Sequence, residues 1–141
     1  MTRELDVGSI KVILDEGRTV ESFDAVVVVL FSSGKLVLVR NERRAWEFPG
    51  GHREGDESYL ETAAREAYEE ADAKITDIEY LGYYITPTGA VTVITRAEAS
   101  SFQKGGDEQQ APHVGVFDRL PPDLSFGDGR EQLFLEYATA R

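Results

Sequence analysis

Apolar residues fall along this chain in two rhythms, and the alternation between them predicts the elements. Val7 to Leu14 alternates weakly and reads as a strand, closed by a turn at Asp15-Glu16-Gly17. Phe23 to Phe31 is an unbroken β-branched run, the pattern of a strand buried on both faces. Ser32-Ser33-Gly34-Lys35 is a tight turn and Leu36 to Arg40 a returning strand, so the pair predicts a hairpin. Arg43 to Gly51 reads as a loop. Glu57 to Ala71 has no Gly or Pro and is dominated by Ala and Glu, which predicts a helix, with Asp56 as its expected N-cap. Ile75 to Thr86, Ala90 to Ala97 and the short Val114 to Phe117 are strand-like, and Leu120-Pro121-Pro122 stops the last. Asp128 to Ala138 predicts a second helix with Leu133, Phe134 and Tyr137 on one face. Strands and helices alternate without a regular βαβ rhythm, so the expected class is α/β of the α+β kind, a mixed sheet with helices packed on it.

Composition narrows the partners. With 141 residues and a hydrophobic fraction of 41%, the chain is expected to form one domain over 1–141 with its own core. The 15 basic and 26 acidic residues give a formal charge of -11, which disfavours a nucleic-acid polymer as partner. A polyanionic substrate would need a local device to meet this surface, such as a metal or an arginine cluster. The absence of cysteine removes disulfides, zinc-thiolate sites and a thiol nucleophile. The longest apolar run, Ala25 to Phe31, is far below the roughly 20 residues of a membrane helix. No secretory pattern opens the sequence, so a cytoplasmic protein is expected, with no membrane partner. The polar segment Ser100 to Gln110 reads as a surface loop.

Candidate chemistry concentrates between Gly50 and Asp72. On the predicted helix Glu66, Glu69 and Glu70 stand at spacings of three and four, so they share one side. Leu60, Ala63, Ala64, Ala67 and Ala71 would form an opposite, small-residue face able to lie close to a sheet. Three carboxylates within a turn repel one another, and a divalent cation removes that repulsion. Oxygen ligands without Cys suit Mg²⁺ or Mn²⁺ rather than zinc. An isolated E-x-x-E-E is more often a solvated helix face. The glycine pair, Glu57 and Arg65 at fixed spacing turn the balance toward a site.

Gly51, Glu57 and Arg65-Glu66-Ala67-Tyr68-Glu69-Glu70, led in by Trp46-Glu47-Phe48-Pro49-Gly50, resemble the box of the Nudix hydrolase family of MutT type. The box covers about a sixth of the chain and has many fixed positions. The resemblance implies an α/β/α sandwich around a mixed sheet. Two positions depart from the pattern. Asp72 replaces a glycine at the helix end, where a left-handed backbone is common. Ala67 replaces a larger aliphatic, which predicts closer helix–sheet packing.

The resemblance further implies that Glu66, Glu69 and Glu70 bind the metal, with the Gly51 carbonyl completing the shell. Arg65 would orient the carboxylates and Glu57 would hold Arg65. The implied reaction is attack of a metal-activated water on a phosphorus of a diphosphate linkage, with a carboxylate taking the proton. Glu66, Glu69 or an acid outside the box could be that base. Glu108, and behind it Glu98, are the outside candidates, against the more common reading of both as surface charge. Arg40 could reach a phosphate oxygen, and Trp46 and Phe48 could stack a base, although aromatics are more often core. Of Tyr83 and Tyr84, one should point inward and one outward. His52 and His113 are isolated and receive no catalytic role.

The leading expectation is therefore a Nudix enzyme cleaving a nucleoside diphosphate linked to another group. Within it stands a nucleoside triphosphate pyrophosphohydrolase, with 8-oxo-dGTP as one candidate substrate. ADP-ribose hydrolysis is the first alternative, with Pro87 as its weak marker, and dinucleoside polyphosphate hydrolysis the next. From a different class comes a non-catalytic nucleotide sensor on the same fold. An allylic diphosphate isomerase would want a cysteine, which is missing. Such proteins are commonly homodimers, yet no exposed apolar strip in the sequence argues for one.

Overall fold

The β-branched run that predicts a doubly buried strand is the centre of a mixed sheet in the computed structural model, which describes residues 2–15, 20, 22–40, 45–103 and 113–140. This strand, β3 (Ala25–Ser32), pairs in parallel with β8 (Val91–Phe102) and antiparallel with β4 (Lys35–Arg40). Beyond β8 the sheet continues through β7 (Ala73–Ile85), β2 (Ile10–Asp15) and β1 (Thr2–Val7), all antiparallel. On the other side β4 carries β5 (Trp46–Glu47) and β9 (Val114–Phe117), while β6 (Gly50–His52) pairs with β3.

Two helices cover opposite faces. Val26, Val28 and Leu30 of β3 point into one cluster with Ala63 and Ala71 of α1 (Tyr59–Ala71). Val29 and Phe31 point the other way, into a cluster with Phe134 and Ala138 of α2 (Arg130–Thr139). The period of two along β3 thus feeds two cores at once, which is why its sequence is apolar without alternation. This is the sandwich around a mixed sheet that the resemblance implies.

Several boundaries differ from the sequence reading, each for a local reason. Val7 to Leu14 is not one strand: Gly8, at φ 56, turns the chain and divides β1 from β2. The N-cap of α1 is Ser58 rather than Asp56. Its hydroxyl accepts the Glu61 N–H at 3.1 Å and Glu61 Oε1 accepts the Ser58 N–H at 2.9 Å, a reciprocal capping box. Glu57 is therefore outside the helix. The small-residue face is also rotated from its expected place: Thr62, Ala63, Glu66, Ala67 and Ala71 are buried, whereas Leu60 and Ala64 are exposed. Ala67 is wholly buried against the sheet. β8 runs on through Ser100 and Ser101 to Phe102, so the expected polar loop begins later. Asp72 adopts the left-handed conformation its position demands, at φ 55 and ψ 27.

Candidate active site

The site is assembled where α1, the strand β6 and the loop between them converge. Arg65 is its hub. Its Nε donates to Glu57 Oε2 at 2.7 Å and its Nη2 to Glu57 Oε1 at 3.0 Å. Nη2 also donates to the His52 carbonyl at 2.7 Å, which ties β6 to the helix. Nη1 reaches Glu66 Oε1 at 3.1 Å, Glu69 Oε1 at 3.2 Å and Glu54 Oε2 at 3.3 Å. Glu57 in turn accepts the Glu54 N–H and the Thr62 hydroxyl. Arg53 closes the loop by donating from Nε to the Glu57 carbonyl at 2.7 Å, with its guanidinium over Phe23.

The two glycines before this loop have separate reasons. A Cβ on Gly51 would overlap Glu66 Oε2, so only glycine leaves that carboxylate its place. A Cβ on Gly50 would meet the Val26 carbonyl, and the Gly50 N–H donates to Glu70 Oε1 at 3.0 Å. The glycine pair of the sequence is thus the space and the donor that two glutamates need.

Charge in the site is unbalanced. The carboxylates of Glu54, Glu57, Glu66 and Glu69 all reach the single guanidinium of Arg65, and Glu70 adds its charge to that of Glu66. Arg65 bonding holds Glu57 down at about 2. Glu66 is pushed up to about 7, first by burial and then by the negative charge of Glu70, with Arg65 opposing. Glu70 is also raised, chiefly by burial, with the Gly50 N–H opposing. Arg65 alone does not neutralise this group of hard oxygen donors, and the donor set fits a divalent ion of the Mg²⁺ or Mn²⁺ class. Among the described residues no three His, Asp or Glu side chains are already arranged as a metal cage. The reason is visible in the contacts: Arg65 holds Glu66 and Glu69, and the Gly50 N–H holds Glu70.

The remaining sequence candidates are placed as follows. Arg40 ends β4 with its guanidinium 4.3 Å from the centre of the Trp46 ring. Trp46 is buried, with Phe117 edge-on at 4.8 Å. Phe48 is buried in the α2-side core, and it also forms part of a cavity wall. Glu98 is paired with Arg96 at 3.5 Å on β8. Glu108 lies outside the described residues. Tyr84 packs inward, stacked on Phe134 at 5.7 Å, and Tyr83 is half-buried.

Two residues near the site received no role in the sequence reading. His113 Nε2 lies 3.1 Å from the Glu70 carbonyl, and Glu47 adds to the charge felt by Glu70. His113 is 43 residues away in sequence, and no spacing rule could connect it. On the neighbouring face Arg130 and Glu131 of α2 line a narrow cavity with Tyr84 of β7, Phe126, Glu47 and Phe48.

The chain is similar to known proteins over most of its length. The NUDIX domain model matches residues 22–123. A Bacillus subtilis protein, YtkD, provisionally named as an 8-oxo-dGTP diphosphatase, is 35% identical over 104 residues, covering 71% of this chain and 65% of its own length. A MutT-like protein of Streptomyces ambofaciens is 33% identical over 98 residues, 68% of this chain and 61% of its own. The chain therefore spans less than two thirds of the length of these two relatives. The Bacillus subtilis pyrophosphohydrolase BsRppH, solved as a point mutant, superposes with a TM-score of 0.79 at 25% identity, covering 98% of this chain and 96% of that one. With the box residues gathered around Arg65 and the family model spanning most of the chain, this protein belongs to the Nudix hydrolase family.

Proposed function

We propose that this chain is a divalent-metal-dependent pyrophosphohydrolase acting on nucleoside triphosphates, with an oxidised guanine nucleotide such as 8-oxo-dGTP within its range. The observation that carries the reading is the uncompensated acidic pocket: Glu66, held up to about 7 beside Glu70, with Gly51 leaving the space its carboxylate occupies. The name of YtkD and the activity in the name of BsRppH support the substrate class and the bond cleaved.

In this mechanism Glu66, Glu69 and Glu70 would hold the cation, and Gly51 would offer its carbonyl. Bound there, Mg²⁺ or Mn²⁺ supplies charge neutralisation for the diphosphate and Lewis acidity toward water. Arg65 restrains the Glu66 and Glu69 side chains, and Glu57 keeps Arg65 aligned. Water adds to a phosphorus of the diphosphate linkage, the bridging P–O bond breaks, and the water proton passes to a carboxylate of the group. Glu66 and Glu69 are the candidate acceptors within the box. Monophosphate and pyrophosphate leave.

Release of pyrophosphate from a nucleotide panel with Mg²⁺ tests the reading, with Glu69→Gln and Glu70→Gln compared against wild type. Turnover by wild type and its loss in the variants is expected. Nucleotide binding without turnover in any of the three would instead establish a sensor.

A further inference from the structure

Thr62 is wholly buried on α1, and its hydroxyl has two acceptors in reach. Oγ1 lies 3.0 Å from Glu57 Oε1 and 3.1 Å from the Ser58 carbonyl. A hydroxyl has one proton to donate, so the two compete. A threonine inside a helix commonly returns its proton to the carbonyl four residues back, which here is Ser58. Two facts favour the carboxylate instead. The Ser58 carbonyl already accepts the Thr62 N–H at 2.9 Å. Glu57 is ionised, because Arg65 bonding holds it down at about 2, and an ionised acceptor makes the stronger bond.

That bond completes the grip on Glu57. Oε1 collects the Glu54 N–H at 2.9 Å, the Thr62 hydroxyl at 3.0 Å and Arg65 Nη2 at 3.0 Å. Oε2 takes Arg65 Nε at 2.7 Å. Glu54 pulls from the loop, while Thr62 and Arg65 pull from the helix. Thr62 stands three residues before Arg65, so the carboxylate is fastened to α1 at two neighbouring points of one face.

The two helix anchors differ in stiffness. Arg65 reaches Glu57 with a long side chain of several rotatable bonds. Glu57 lies outside the helix. Left to themselves, the guanidinium and the carboxylate would be free to shift together as one pair without losing a bond to each other. Thr62 removes that freedom. Its side chain is short, branched at Cβ and enclosed on all sides, so its hydroxyl has one place to be.

Resting on the hydrolase reading above, we infer that Thr62 is a positioning residue of the acidic site. Its hydroxyl pins Glu57 to the helix, Glu57 sets the Arg65 guanidinium, and Arg65 sets the Glu66 and Glu69 carboxylates. Thr62 touches neither substrate nor cation in this role. It is none of the box residues named above, and its hydroxyl gains meaning only through the fold of the loop back onto the helix. The competing account is that Thr62 merely fills space beneath α1. In that case its methyl group would matter and its hydroxyl would not.

Two substitutions separate these accounts. Thr62→Val keeps the branched shape and removes the hydroxyl, whereas Thr62→Ser keeps the hydroxyl and removes the methyl. Nuclear magnetic resonance of the metal-free protein follows the Arg65 Nε–H signal and its exchange with water. Mn²⁺ titration by electron paramagnetic resonance follows the carboxylates. Thr62→Val should speed the Arg65 exchange and weaken Mn²⁺ binding by about 3–10-fold, less than for groups that touch the ligands directly. At saturating Mg²⁺ the loss should fall on kcat, with KM for the nucleotide within about twofold of wild type. Thr62→Ser should lose stability yet keep the Arg65 signal and the Mn²⁺ affinity. A valine variant that matches wild type in either readout, or a serine variant as impaired as valine, overturns the assignment. If wild type hydrolyses no nucleotide while both readouts still follow the hydroxyl, the positioning role stands and the hydrolase reading falls.

Discussion

Arg65 and Glu57 are eight residues apart and meet through two parallel hydrogen bonds, Nε to Oε2 at 2.7 Å and Nη2 to Oε1 at 3.0 Å. Glu57 sits in the loop and Arg65 on the helix, so this pair fixes how β6 and its glycines face the acidic side chains. The same guanidinium carries on to Glu66 and Glu69. Arg65→Lys is predicted to be a poor replacement, because an ammonium cannot make the paired fork. Glu57→Gln and Arg65→Lys should each weaken Mn²⁺ binding by ~10–100-fold, the range typical of groups that orient metal ligands. Mn²⁺ titration followed by electron paramagnetic resonance reads this directly, and unchanged affinity in both would contradict the positioning role.

Gly51→Ala is predicted to disable the site while leaving the fold. Gly51 is not among the positive-φ positions, so alanine suits its backbone. The added methyl would occupy the place of Glu66 Oε2 and force that carboxylate away. Overpacking of this kind costs ~1–3 kcal/mol. A folded circular dichroism spectrum with a modest loss of stability, together with lost Mn²⁺ binding, is the expected result.

Acidity separates two carboxyls of the site. Glu66 stands at about 7 in the folded metal-free protein, above its ordinary value of 4.5. The folded state therefore holds the proton more tightly than the unfolded state. Metal-free stability should rise as pH falls from about 8 toward 5, and Mg²⁺ affinity should fall over the same interval. Glu57 has the opposite sign, at about 2 against 4.5. Its contribution is complete above 4.5 and is lost as pH drops toward 2. Thermal midpoints measured across this range should show the upper slope shrink in Glu66→Gln, with Glu70 retaining a part of it, and the lower one diminish in Glu57→Gln.

Ser58→Ala removes the hydroxyl that caps α1 and breaks the reciprocal bond with Glu61. A loss of about 1 kcal/mol is expected. In a domain of this size that lowers the midpoint by about 3–4 °C. Activity at low temperature should be nearly unchanged, since the Ser58 and Glu61 side chains bond to each other's backbone and not to the Arg65 hub. A calorimetric scan and a rate at one temperature decide both points.

How much of this was legible beforehand follows the range of each interaction. The β-branched run of β3, the helical spacing of Glu66, Glu69 and Glu70, and the motif that joins Gly51, Glu57 and Arg65 are local patterns. A reader of the chain finds them because periodicity and turn chemistry act over a few residues. The left-handed backbone at Asp72 was legible for the same reason. The sequence could not show which flank of α1 would be buried. Glu66 faces the sheet edge while Leu60 and Ala64 face out, because Gly51 on a neighbouring strand leaves a gap for a carboxylate. Nor could it show that Trp46 packs between Phe117 and Arg40, or that Glu131 and Phe126 come beside Glu47. Most of those contacts join residues separated by tens of positions, and they exist only once the parallel pairing of β3 with β8 has set the two helices on opposite faces. The chain's own order settles its local chemistry, and packing at a distance settles which of those groups are buried, charged and in reach of one another.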